Sequence, residues 1–194
     1  MELRDYRVIL ASNSPRRREL LKQVGVEFEV VVSEAEEEIR SDVPSEVVMQ
    51  LSRDKALDVA RRVPKDSLVI GADTVVSFEG KILGKPKDCE EAYDMIHSYA
   101  GRSHSVYTGV SLVYNGKVSS FFEETIVCVR DMSDAEIYEY IDLGECYDKA
   151  GAYGIQGYFA RYVSRIEGDY FNVVGLPLCR TMYEIKRLQE AFYE

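Results

Sequence analysis

YRVILASNSPRRRELL, residues 6–21, runs an apolar strand straight into a helix start, and that junction sets the reading of the chain as α/β. Tyr6 to Leu10 forms the strand. Ser14 suits a helix N-cap and Pro15 the first helical position. Arg16, Arg17 and Arg18 then open the helix, although a helix N-terminus carries partial positive charge and favours anions. Three arginines, free backbone N–H groups and serine hydroxyls at a strand end make an anion site. By itself the stretch reads either as a phosphate cradle or as a solvated basic turn.

Downstream, Glu27 to Ser33 reads as a second strand and Glu34 to Glu38 as an acidic loop. Pro44 to Val63 reads as a long helix with Val48, Leu51, Lys55 and Val59 on one stripe. Lys55 is the odd member: its stem snorkels, or its ammonium is aimed into a polar cleft. Ser67 to Ala72 is a short strand ending in Asp73-Thr74. Val75–Phe78 and Lys81–Leu83 form a hairpin at Glu79-Gly80, before the loop Gly84-Lys85-Pro86. A helix starts at Asp88, with Ala92, Met95, Ile96 and Tyr99 on its apolar face. His104–Tyr114 and Lys117–Arg130 are long β runs joined by Asn115-Gly116, a strong hairpin signal. Ser133 and Glu136 make a capping box for a helix reaching Leu143. Phe159 to Ile166 is a further strand. Pro177 opens a final helix with Leu178, Met182, Ile185 and Leu188 inward. The long hairpin makes the sheet mixed. The expectation is one α/β domain over 1–194, an elongated mixed sheet flanked by helices with a small lobe walling a cleft.

Composition narrows the chemistry. A net charge of −10 disfavours nucleic-acid binding and makes the basic clusters stand out. No apolar run approaches the roughly 20 residues of a membrane span. Met1 to Tyr6 lack a leader's apolar core, so a cytoplasmic protein is expected. Cys89, Cys128, Cys146 and Cys179 are scattered without C-x-x-C spacing, and His97 and His104 are the only histidines. Any metal is then a hard cation, Mg²⁺ or Mn²⁺, held by carboxylates and phosphates.

Asp73, at the end of a buried-looking strand, suits a cation ligand or an acceptor of a water proton; it also suits a turn. Glu34 to Glu38 is a solvated face or, with Asp73, an oxygen-ligand metal site. Lys55, Lys85 and Arg16 to Arg18 supply the positive groups that phosphoryl transfer needs. Neither a G-x-x-x-x-G-K-[ST] loop nor a G-x-S-x-G elbow is present. Asp148 to Gly157 carries Gly151, Gly154 and Gly157, which let backbone approach a ligand, and Gln156, which offers donor and acceptor to a base edge. An ordinary flexible loop accounts for the same residues.

Leu10–Leu21, Lys55-Ala56, Gly71–Val76, Ile82–Pro86, Thr108–Val110, Asp148–Gly157 and Gly168–Pro177 occur together in an order that resembles the Maf family of nucleoside triphosphate pyrophosphatases. The resemblance spans nearly the whole chain. It implies two lobes around a deep cleft in a Maf or ITPase-like fold, a divalent cation, and assembly as a dimer. It also implies hydrolysis of dTTP and UTP, modified uridine triphosphates among them, to the monophosphate and pyrophosphate. On this resemblance Asp73 is the catalytic proton acceptor. Ser12, Arg16, Arg17, Lys55 and Lys85 line the phosphates, and Arg16, Thr74 and Gln156 mark the dTTP and UTP branch. Glu37 and its neighbour Glu36, with Asp73, hold the metal. Arg18, about 100° round the helix from Arg17, reads as surface. The family's usual Asp-Glu pair is here Glu36-Glu37, and Tyr158-Phe159 stands where smaller residues are common, narrowing the base pocket. Two rival readings are a nucleotide-sensing regulator of cell division with vestigial catalysis, and a nucleic-acid binder, which the net charge disfavours.

Overall fold

Alternating apolar residues feed two opposite faces of one sheet. Val8 and Leu10 pack on one face with Leu68, Ile70, Ala72 and Val76, while Ile9 and Val69 pack on the other. The structure, a computed structural model, describes residues 6–190; the segment Met1 to Asp5, part of the leader reading above, lies outside the described residues. The strands are β1 (Arg7–Leu10), β2 (Glu29–Val30), β3 (Ser67–Phe78), β4 (Lys81–Leu83), β5 (Ser103–Tyr114), β6 (Lys117–Val129) and β7 (Val163–Glu167). The helices are α1 (Pro15–Gln23), α2 (Pro44–Ala60), α3 (Cys89–Tyr99), α4 (Asp134–Asp142), α5 (Tyr170–Val174) and α6 (Leu178–Glu190).

The seven-stranded sheet runs β2-β1-β3-β5-β6-β7, with β4 added to β3. β1 lies parallel to β2 and β3, and every other pairing is antiparallel, so the sheet is mixed as expected. Helix α2 covers one face through Val47, Val48, Leu51, Ala56 and Val59. Leu20 and Leu21 of α1, Ile96 of α3, Ile137 of α4 and Ile185 of α6 cover the other. Asn115 and Gly116 both adopt left-handed conformations in the β5–β6 turn, as a two-residue hairpin requires.

Several boundaries differ from the sequence expectation. The second strand shrinks to two residues, and Phe159 to Tyr162, expected to be strand, belong to a 3-10 turn (Tyr158–Tyr162) ahead of β7. α5 was not anticipated; its five residues are too few for a helical period to show. The largest difference concerns Asp73 and Thr74. The strand does not stop there: β5 pairs with β3 without interruption from Val69 to Ser77, setting Gly109 opposite Asp73 and Thr108 opposite Thr74. Polar residues fail to end a strand when the neighbouring strand keeps supplying hydrogen bonds.

What changes at this point is the other edge of β3. β1 leaves it after Leu10 pairs with Ile70, with a last link from the Ala11 N–H to the Ile70 carbonyl, and β4 joins only at Val76. Among the described strands none pairs with that edge between residues 71 and 75. Asp73 and Thr74 sit in this gap. Among the described residues, no helix is long and apolar enough to cross a membrane.

Candidate active site

Alternation along β3 sends Asp73 toward α2 and Thr74 toward the opposite face, so two sets of groups meet at the gap. On the α2 side, Lys55 Nζ lies 2.6 Å from Asp73 Oδ1 and 2.7 Å from Glu37 Oε1. Lys55 and Asp73 are largely buried, with side chains 16% and 13% exposed. The aimed reading of Lys55 is therefore the one observed: the stem follows the apolar stripe and the ammonium ends between two carboxylates. The Lys55 hydrogen bond holds the Glu37 carboxyl below its usual range, burial opposing, and the charges of Lys85 and Arg17 add to the effect. That places Lys85 within electrostatic reach, although Lys85 itself is exposed.

The height of α2 over the sheet is set by what is missing from β3 and β5. A Cβ on Gly71 would lie 2.3 Å from the Ser52 carbonyl oxygen, and one on Gly109 would lie 2.2 Å from the Val48 carbonyl oxygen. Two glycines thus let the helix backbone rest directly on the strands. A hydroxyl chain, buried at Ser52 and Ser111, then fixes its position: Ser52 Oγ is 2.9 Å from Ser111 Oγ, which is 2.8 Å from Ser120 Oγ. Lys55 follows Ser52 by one turn. The acidic loop is anchored on α2 as well, by the Ser33 hydroxyl and Glu34 N–H donating to Asp58 (3.0 and 2.9 Å) and by Gln50 Nε2 donating to the Glu38 carbonyl (2.7 Å).

On the other side Arg17 is the hub. Its Nε donates to the Gly175 carbonyl (2.8 Å), Nη1 to Ser12 Oγ (3.0 Å) and Nη2 to Thr74 Oγ1 (3.0 Å). One guanidinium therefore ties the loop after β1 to β3 and to the end of α5. Burial lowers its pKa, with Asp73 opposing. Thr74 Oγ1 also lies 2.9 Å from Thr108 Oγ1, whose hydroxyl donates to the Asn172 carbonyl (2.9 Å). Arg16 reaches the glycine-rich loop instead: Nη1 is 3.3 Å from Asp148 Oδ2, and Lys149 Nζ is 2.6 Å from Asp148 Oδ1. Burial pushes the Asp148 carboxyl up, but Lys149 and Arg16 more than offset it and leave it below the usual range. The same loop meets Lys85's loop where the Gly151 N–H donates to the Gly84 carbonyl (2.9 Å).

The structure thus brings Ser12, Arg17 and Thr74 together on one side of β3 and Lys55, Asp73 and Glu37 on the other. Lys85 acts electrostatically, and Arg16 is joined to the loop that carries Gln156. Gln156 is exposed, with no side-chain partner among the described residues. Glu36 is likewise exposed, and its carboxylate makes no hydrogen bond or ion pair with the described residues. Glu37 and Asp73 make a convergent pair of hard oxygen donors that already encloses a cation, the Lys55 ammonium. This donor chemistry fits Mg²⁺ or Mn²⁺.

Two expectations are corrected. Arg18 is half-buried rather than surface: its Nη2 donates to Asn13 Oδ1, and its Nε is buried without a partner among the described residues. Phe159 does not narrow a base pocket. It is fully buried among the rings of Tyr99, Tyr140, Tyr153 and Tyr162. Sequence reasoning assigned no role to Asp148, Thr108, Asn172, Gly71 or Gly109. An apolar strand interrupted by glycine at 71 and 109 is the one local signal of close backbone approach available for any of them.

Residues 7–188 match the family described as Maf-like protein. A dTTP/UTP pyrophosphatase of Thermoanaerobacter pseudethanolicus is 52% identical over 183 residues, covering 93% of this chain and 96% of that protein. The dTTP/UTP pyrophosphatase of Carboxydothermus hydrogenoformans is 50% identical over 182 residues, 93% of this chain and 97% of the relative. That of Lachnoclostridium phytofermentans is 46% identical over 187 residues, 94% and 95% of the two chains. Among solved structures, the Staphylococcus aureus Ham1 protein aligns over 64% of this chain and 72% of its own, with 14% identity and a TM-score of 0.45.

Proposed function

The chain belongs to the Maf-like family, and from that premise we propose that it hydrolyses dTTP and UTP to the monophosphate and pyrophosphate. The observation that carries this reading is the Lys55 ammonium held between Asp73 and Glu37, where no described strand pairs with that edge of β3, with Lys85 and Arg17 within electrostatic reach of Glu37. Triphosphate hydrolysis asks a protein mainly to neutralise charge and position a water. This set of groups does both.

In this reading Asp73 accepts a proton from the attacking water. The water oxygen bonds to phosphorus, the anhydride bond between the α and β phosphates breaks, and pyrophosphate leaves. Lys55 orients the Asp73 carboxylate and, with Lys85 and Arg16, meets the phosphate oxygens. Arg17 has five N–H donors and commits three to Gly175, Ser12 and Thr74, so two remain for substrate. Glu37 and Asp73, with Glu36 beside them, would hold Mg²⁺ or Mn²⁺. When bound, that cation neutralises the oxygens of the phosphate chain. Gln156 reads the pyrimidine edge with its amide.

Incubation with a panel of standard triphosphates and Mg²⁺ or Mn²⁺, followed by product identification, tests the reading. Monophosphate plus pyrophosphate, formed fastest from dTTP and UTP, is the expected result. Diphosphate plus orthophosphate, or no preference for these two nucleotides, overturns it.

A further inference from the structure

The glycine-rich loop presents Gln156 outward but is gripped from within by three aromatic residues that the reaction does not use. The Tyr99 hydroxyl donates to the Gly151 carbonyl (2.8 Å). The Tyr140 hydroxyl accepts from the Gly154 N–H (3.3 Å). His104 Nε2 lies 2.8 Å from the Tyr153 hydroxyl, between rings whose centroids are 4.6 Å (Tyr99) and 5.1 Å (Tyr153) away. Tyr153 and Ile155 are buried and Gln156 follows them exposed, so the anchoring of the first two decides where the third points. The loop also needs holding. Ala152 has a left-handed backbone (φ 61°), which costs a residue with a Cβ about 1–2 kcal/mol.

His104 is a costly choice for this place. It is 3% exposed, and its Nδ1 has no partner among the described residues. Leucine or phenylalanine would occupy such a position without an unpaired polar atom. What an apolar residue lacks is a hold on the Tyr153 hydroxyl. The same face of β5 carries Thr108, which supports Thr74, so one strand suspends both the Arg17 hub and the base-facing loop.

We infer that His104, acting through Tyr153, is a positioning residue for nucleobase recognition: it fixes the register of residues 153–156 so that the Gln156 amide meets the pyrimidine edge. The inference rests on the reading of Gln156 as the base contact.

Tyr153→Phe removes one hydroxyl and keeps the ring, so it tests the bond with the least risk to folding. His104→Leu, the double variant, His104→Gln and Gln156→Ala complete the set. Each of the two single changes at the pair should raise KM for UTP and dTTP about 3- to 10-fold, the worth of one net hydrogen bond. The turnover number should change less than about 2-fold. The double variant should be no worse than the worse single one, and His104→Gln should recover part of the loss. Hydrogen exchange of residues 150–157 should quicken in Tyr153→Phe. Additive effects, an unchanged KM, or losses that follow thermal midpoint alone would overturn the inference. A Gln156→Ala variant with unaltered preference, beside a quickened loop in Tyr153→Phe, would instead remove Gln156 as reader and with it the link to recognition.

Discussion

Asp73 carries the sharpest demand on a single side chain. It is largely buried, ion-paired to Lys55, and set where β3 has no partner on one edge among the described strands. If it takes the proton from water, Asp73→Asn should lower turnover by at least about 100-fold, since a positioned base contributes roughly 10²–10⁴. The amide has nearly the carboxylate's shape, and Glu37 still holds the ammonium, so the thermal midpoint should move by only a few degrees. Wild-type turnover in that variant would exclude Asp73 as the base. Asp73, Lys55 and Glu37 were all legible from residue type and from the family pattern. Asp148 was not. Its role exists because Arg16 reaches it across 132 residues of sequence, and a local pattern carries no trace of such a contact.

At the scale of elements, the decisive fit is α2 on β3 and β5. The apolar stripe and the odd lysine were both visible as a 3.6-residue period. The distance between helix and sheet was not, because it depends on two glycines in neighbouring strands, offset by two residues, arriving under one helix. Gly71→Ala would place its Cβ 2.3 Å from a backbone oxygen and 2.8 Å from the Ala56 Cβ, neither of which yields easily. The helix should lift, at a cost of about 1–3 kcal/mol, or a fall in midpoint of roughly 3–10 °C for a chain of this size. Because Lys55 lies between Ser52 and Ala56, turnover of the folded variant should fall as well. A thermal melt and a kcat measurement well below the midpoint check both parts; full turnover would show that helix height does not set the Lys55–Asp73 contact. The expected stop at Asp73-Thr74 fails for a related reason. Strand ends are decided by neighbouring strands, and β5 continues past this point.

For the whole molecule, His104 makes stability depend on pH. Burial lowers its pKa to about 4, from about 6.5 in an open chain, and its hydrogen-bond partner among the described residues is Tyr153. Between these values the unfolded chain binds a proton that the folded chain refuses. Stability from this group is therefore complete above about pH 6.5 and falls with pH until about 4, below which the loss levels off. The full loss is about 3 kcal/mol at 1.36 kcal/mol per unit. Urea midpoints measured from pH 7 to pH 4 should decline in the wild type and decline less steeply in His104→Leu, the remaining slope belonging to paired carboxylates such as Glu37 and Asp148. Equal slopes in the two would mean that His104 titrates the same way in the folded and unfolded chains.

Sequence alone determined the alternation of strands and helices, the long β5–β6 hairpin and the residue types gathered for phosphate chemistry. Each is written in neighbours a few positions apart: a period, a turn pair, a cap. Tertiary structure alone decided that β3 runs through Asp73, that no described strand pairs with its edge where β1 departs, and that Arg17 serves first as a hub for Ser12, Thr74 and Gly175. It also decided that an aromatic and histidine grip sits behind the glycine-rich loop. These features join residues tens of positions apart, and their energies come from burial and hydrogen-bond satisfaction, which exist only once the chain has closed on itself.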